Sequence, residues 1–364
     1  MVEQDLIYLL SCAVKQEAPD PKRVAAMNLD ALFALASRHM LAATAAPALK
    51  AAGVQDRRFA KALEHAILKN STMDMEMETL FAELDKGGIW HMPLKGIVLQ
   101  HLYPLYGMRQ MSDHDFLIDA TRMADVRTIM EAQGFQVKSH DATHHDVYCK
   151  EPVSNFQMHR RLFDQIEGKK LFSYYEDVQS RLRGDGYEKH FSPEDFYLYL
   201  IAHEYRHYRC AGTGLRSLLD TYVYLQKEKL DMAYVTAEAE KLGITEFEAA
   251  NRSLALHLFS GEALTAAERE MLDYFLDSGV YGSLTHKAKN KMARHGYGKI
   301  RYALHRFLVP VRKKNPFYAA YAGVYPQFYR HRILLPLLPF YRTFRAIKSG
   351  SFKVEAEAIK HAKQ

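Results

Sequence analysis

The chain has 364 residues, 48% of them hydrophobic and 25% charged, with a formal net charge of +6. This is the composition of an ordinary globular protein, long enough for two domains with a real core. Three well-separated cysteines, Cys12, Cys149 and Cys210, exclude a disulfide scaffold and a cysteine-based zinc site, and they fit a reducing, cytoplasmic compartment. Glu3 and Asp5 stand where a basic leader would be expected, so no signal peptide is read, and no run of about 18 apolar residues suggests a transmembrane helix.

In chain order, residues 1–85 read as helices. "LDALFALASRHMLAATAAPALKAA" ends near Gly53, and "ALEHAILKNSTMDMEMETLFAELDKGG" is a long amphipathic helix stopped by Gly87 and Gly88. A small α/β core follows over 86–190. "IWHMPLKG" is a strand ending at Gly96, and "IVLQHLYPLY" is a helix broken near Pro104. "DHDFLID" is a strand, "RMADVRTIMEAQGF" a helix, and "HHDVYCKEPVSNFQMHRRLF" two strands around a turn at Pro152 to Asn155. Helices return over 191–364. Ser192 caps the first, Pro193 takes its first position, and Asp195 follows three residues after the cap. The class is α+β: a small mixed sheet within a largely helical protein.

The most informative stretch is "YGMRQMSDHDFLID". Asp113 and Asp115 stand two apart, so in a strand they share a face. Two carboxylates ~5 Å apart repel by roughly 3 kcal/mol at an effective dielectric of 20. Such a pair needs a cation or water, and its hard oxygens suit Mg²⁺, or Mn²⁺. Beside a phosphate-binding turn it suits in-line displacement on a nucleoside triphosphate. The plainer alternative is a polar strand entry formed by Ser112, Asp113 and Asp115. "MPLKG", just upstream, joins a strand to a helix where backbone N–H groups can face an anion and Lys95 adds a cation. Arg109 pairs either with a phosphate or with protein carboxylates.

"PLKGIVLQHLYPLYGMRQMSDHDFLID" resembles the core of the uncharacterised bacterial nucleotidyltransferase family, within the DNA polymerase beta-like superfamily. The motif is LKG, a helix with LYP, a Gly-x-Arg, then SD-x-D before apolar residues. "SRHMLAATAAPAL", "FQMHRRL", "SPEDFYLYLIAHEYRHY...GLRSLLDTYVYL" and "YPQFYRHRILLPLLPFYRTFR" extend the resemblance over nearly the whole chain. The resemblance implies a palm-like sheet, Mg²⁺ on Asp113 and Asp115, and triphosphate contact at Lys95 and Gly96, with Ser112 and Arg109 beside them. It also implies transfer of a nucleotidyl group from an NTP to an acceptor hydroxyl. The acceptor stays open: RNA, a protein, a sugar or a small molecule.

One position departs from the family. The third carboxylate of the superfamily corresponds to Gln157, an uncharged ligand and a poor base. The protein is then a slow enzyme, recruits Asp119, Asp146 or Glu151, or is a nucleotide-binding or scaffold protein. His159 shares the face of Gln157 and is a possible support.

Two motifs compete. "HEYRH", His203 to His207, matches the zinc-peptidase pattern HExxH, which would make Glu204 a base; a helix face packed on the core is the other reading. "HDATHHD", His140 to Asp146, is either a metal loop or a solvated one. Finally, residues 280–354 hold 16 Lys or Arg and no acid, leaving about −10 on the rest. With Tyr and Phe interleaved, this segment suits a polyanion, an anionic membrane surface, or the acidic remainder of the chain.

Overall fold

The computed structural model describes residues 2–141, 144–165, 168–313 and 318–361. The expected α+β class is observed, with 66% helix and one small five-stranded mixed sheet. The chain forms two compact units, residues 1–206 with 214–276, and residues 207–213 with 277–364.

The first unit opens with helices α1 (Val2–Lys15), α2 (Pro21–Ala25), α3 (Leu29–Arg38), α4 (Ala42–Ala51) and α5 (Arg57–Lys86). Asp56 starts α5 by accepting the Arg58 amide at 2.8 Å, and the helix runs 30 residues to Gly87. The sheet contains β1 (His91–Pro93), β2 (His114–Ile118), β3 (Gln136–Ser139), β4 (His145–Lys150) and β5 (Ser154–His159), in the order β1-β2-β5-β4-β3. β2 and β5 are parallel; the other pairs are antiparallel.

One sheet face is apolar. Phe116, Ile118, Phe156, Met158 and Tyr148 join Met73, Leu80 and Leu84 of α5, together with Val126 and Met130 of α7 (Met123–Ala132), in a closed core. Each of these side chains contributes about 1.5–3 kcal/mol by leaving water, which clamps the strands to α5.

Two local expectations change. The helix after Gly96, α6, spans only Gly96–Gln100 and ends four residues before Pro104, whose ring disfavours helix in the preceding turn. β3 is an additional edge strand after the Gly134 turn, alternately exposed and half-buried.

The unit continues with α8 (Lys169–Tyr174), α9 (Pro193–Cys210, ending in the second unit), α10 (Leu215–Lys227), α11 (Met232–Leu242), α12 (Thr245–Ser260) and α13 (Ala266–Ser278, also ending in the second unit). Ser192 Oγ accepts the Asp195 amide at 3.1 Å, the N-cap read from the sequence.

The second unit carries α14 (Leu284–His295), α15 (Lys299–Leu308), α16 (Tyr318–Val324), α17 (Pro326–Arg330), α18 (Leu338–Lys348) and α19 (Ser351–His361). Its core is small, built on Ala288, Met292 and Tyr302. Ile300 and Ile333 are each 88% exposed and Phe340 is 64% exposed, so much apolar surface stands among the cations. No helix among the described residues is long and apolar enough to cross a membrane.

Candidate active site

The parallel pairing of β2 with β5 sets Asp115 opposite Gln157 and Leu117 opposite His159. Strand alternation turns Phe116, Phe156 and Met158 into the core. The other face then carries Asp113, Asp115, Gln157 and His159, and the hydrogen bonds confirm that they meet. Gln157 Nε2 donates to Asp113 Oδ2 at 2.6 Å, and His159 Nε2 lies 2.7 Å from Asp115 Oδ1. Lys95 Nζ lies 3.1 Å from Asp115 Oδ2. Ser112 Oγ donates to Asp113 Oδ1 at 2.8 Å.

The two carboxylates are electrostatically unequal. Burial would raise Asp115, but the Lys95 ammonium and the His159 hydrogen bond outweigh it and hold its carboxyl well below the usual range. Asp113 is pushed up, by burial first and then by the Asp115 charge, while Ser112, Lys95 and Arg216 pull the other way. Burial lowers His159 to about 3, against the pull of Asp115, and lowers His145 to about 4 with help from His144. His159 is therefore a neutral ring that donates Nε2–H to an ionised Asp115, and its lone pair sits on Nδ1.

The strand is held from behind by a polar chain that the sequence did not disclose. His114 Nε2 lies 2.9 Å from Asp74 Oδ1 of α5. Asp74 also accepts from Gln100 Nε2 at 3.0 Å and from Tyr106 Oη at 2.7 Å. Asn70, one turn earlier on α5, donates to the Arg109 carbonyl at 3.1 Å. Lys69 donates to the Ser112 carbonyl at 2.9 Å and sits near Asp113. α5 thus fixes the entry to β2 at three successive points.

Arg109 is turned to a partner 111 residues away. Its Nε and Nη2 each lie 2.8 Å from an oxygen of Asp220, and both side chains are buried. Tyr103 Oη donates to the same carboxylate at 2.8 Å. Gly96 lies beneath this pair: a Cβ there would overlap Arg109 Nη1 and the Met111 side chain. Lys95 itself has φ of 47°, an unusual conformation for a residue with a side chain. Arg216, four residues before Asp220 and on the same face of α10, adds a cation near Asp113, while its Nη1 donates to the Gln110 carbonyl at 2.9 Å. A cleft of about 460 Å³ opens beside Lys69 and Met111, lined also by Arg58, Lys61 and His65.

The competing motifs resolve differently. Glu204 is 3% exposed and pushed up to about 7 by burial, with Asn251, Ser217 and Thr221 against it. His203 Nε2 meets Arg206 at 3.1 Å. Among the described residues, neither His203 nor His207 belongs to a cluster of converging ligand atoms; Glu204 packs inward, while His203 is half-buried and His207 exposed. In "HDATHHD", Ala142 and Thr143 lie outside the described residues. Its two acids converge with His140 but meet a protein cation: Arg160 Nη2 lies 2.6 Å from Asp146 Oδ1, and Arg160 also pairs with Asp141. Its other two histidines, His144 and His145, turn toward His159.

Neither the curated proteins nor the solved structures provide a match to this chain. Residues 25–260 match a family described as an uncharacterised nucleotidyltransferase, a span that includes the sheet, α5, Lys95, the two aspartates, Gln157 and Asp220. The chain belongs to this uncharacterised nucleotidyltransferase family.

Proposed function

We propose that the protein is a metal-dependent nucleotidyltransferase of the polymerase beta-like type. The observation that carries this reading is the convergence of Asp113, Asp115 and Gln157 on one face of the parallel β2–β5 pair, with Lys95 beside them. An acceptor oxygen attacks the α-phosphorus of an NTP, the bond to the bridging oxygen breaks, pyrophosphate leaves and the acceptor proton goes to solvent or a nearby base. The donor set fits Mg²⁺ or Mn²⁺: a buried carboxylate and a half-buried one, and an amide whose carbonyl can replace its NH₂ toward Asp113 by turning over. That ion would supply charge neutralisation on the triphosphate. Lys95 and the adjoining Gly96 turn are the triphosphate contacts of this reading, with Ser112 positioning Asp113. Arg109 acts through Asp220 as a positioning residue rather than as a phosphate contact.

Gln157 favours a second reading, a nucleotide-binding protein without transfer. Its NH₂ group already meets Asp113 and it offers no negative charge. Labelled NTP incubated with Mg²⁺ and cell extract separates the two. The enzyme reading expects transfer by wild type and an increase of at least about tenfold in Gln157→Asp, toward the ~10²–10⁴ that a general base contributes. Transfer by Gln157→Asp alone, with a silent wild type, would establish the binding-protein reading instead.

For the second unit we propose contact with an anionic lipid surface. Its 16 cations without an acid over 280–354 suit any polyanion, but exposed Ile300, Ile333 and Phe340 suit lipid better. Retention on anionic but not neutral vesicles, lost at high salt, is the expected result. Salt-sensitive retention by RNA without vesicle binding would overturn it.

A further inference from the structure

Three histidines meet at the junction of β4 and β5. His145 faces His159 across the antiparallel ladder, and His144 precedes it where the strand is not yet regular. The ring centroids are 4.7 Å apart for His144 and His145, 5.3 Å for His144 and His159, and 4.8 Å for His145 and His159. One ring nitrogen of each lies within 4.8 Å of the other two. His144 and His159 are 6% and 4% exposed, so this is not a surface cluster.

The carboxylates around the cluster decide where the lone pairs are. His144 Nδ1 lies 2.9 Å from Asp164 Oδ2, so in the neutral ring Nδ1 carries the proton and Nε2 the lone pair. His159 gives Nε2–H to Asp115, and its Nδ1 is buried with no hydrogen-bond partner. A buried acceptor without a donor is costly unless a ligand meets it. Carboxylate–imidazole pairs with the second nitrogen unprotonated are how proteins orient histidines toward a metal.

We propose that His144, His145 and His159 form a three-imidazole site for a divalent first-row transition metal, Zn²⁺ foremost, with Asp164 and Asp115 orienting two of the rings. Imidazole ligands select such ions over Mg²⁺, so this site and the carboxylate site would not compete for one ion. In a tetrahedral site with metal–nitrogen bonds near 2.0–2.1 Å, ligand nitrogens stand about 3.4 Å apart, which small ring rotations reach from the observed spacing. A fourth position would stay open. The proposal does not rest on nucleotidyl transfer and survives its failure.

The test is a Co²⁺ titration of untagged, chelator-stripped full-length protein, read by visible absorption, with Zn²⁺ displacement. One Co²⁺ per chain with four-coordinate band intensity is expected. Affinity should fall at least about 100-fold in His144→Gln and His145→Gln and about 10–100-fold in Asp164→Asn. His203→Ala, in the other histidine motif, should bind as wild type does. The glutamine variants keep side-chain volume and polarity, and thermal unfolding confirms that they fold. No stoichiometric uptake by wild type, or an unchanged titration in His145→Gln, would overturn the site.

Discussion

Asp115→Asn is expected to lower nucleotidyl transfer at least about 10³-fold, some 4 kcal/mol of transition-state stabilisation. Asp115 is the side chain on which the site converges: Lys95 and His159 both hold it, and its charge is maintained despite burial. The amide keeps the shape and removes the charge that a metal would use. It also leaves the Lys95 ammonium without its counter-ion. Steady-state transfer from labelled NTP measures the loss, and calorimetric titration of Mg²⁺ with NTP should show weakened binding. Wild-type activity and binding in this variant would refute the assignment of the metal to this strand face.

Asp220→Ala is expected to destabilise the first unit by about 3–5 kcal/mol, the usual consequence of stranding one member of a buried ion pair. Arg109 is 7% exposed and its guanidinium has Asp220 on two nitrogens, so the alanine leaves a buried cation without its bidentate carboxylate. Tyr103 Oη loses its acceptor too. Arg109→Met combined with Asp220→Leu should recover much of the loss, because neither charge then remains to be desolvated. Denaturant unfolding of the single and double variants gives the coupling directly. A single-variant loss below about 1 kcal/mol would mean that Arg109 is solvated in a way this packing does not provide.

These two carboxylates also show what the sequence discloses. Asp115 was legible because strand period is local: alternation between Ser112 and Ile118 separates a polar face from an apolar one, and the same rule applied to "FQMHRRL" puts Gln157 and His159 beside it. Asp220 was not, because its partner lies 111 residues upstream and an i, i+4 Arg216–Asp220 pair on one helix looks self-sufficient. Asp74 and Lys69 were hidden for a similar reason. On α5 they read as ordinary polar positions of an amphipathic helix, and only tertiary packing brings them behind β2. His144 and His145 defeat the period rule itself. Neighbours in a regular strand point apart, and these two converge because the first lies just before the ladder begins.

The Lys95–Asp115 contact has a consequence for the order of events. A lysine ammonium 3.1 Å from Asp115 is a resident monovalent cation at the oxygen an incoming divalent ion would use. The two positive charges cannot share that oxygen at close range without repulsion. A triphosphate that draws Lys95 toward itself therefore vacates Asp115, and an ion that displaces Lys95 frees it for a phosphate. On the proposed reading, nucleotide and metal would be thermodynamically linked ligands, each raising the affinity for the other by the same factor. Lys95 and Asp115 neutralise each other across this contact.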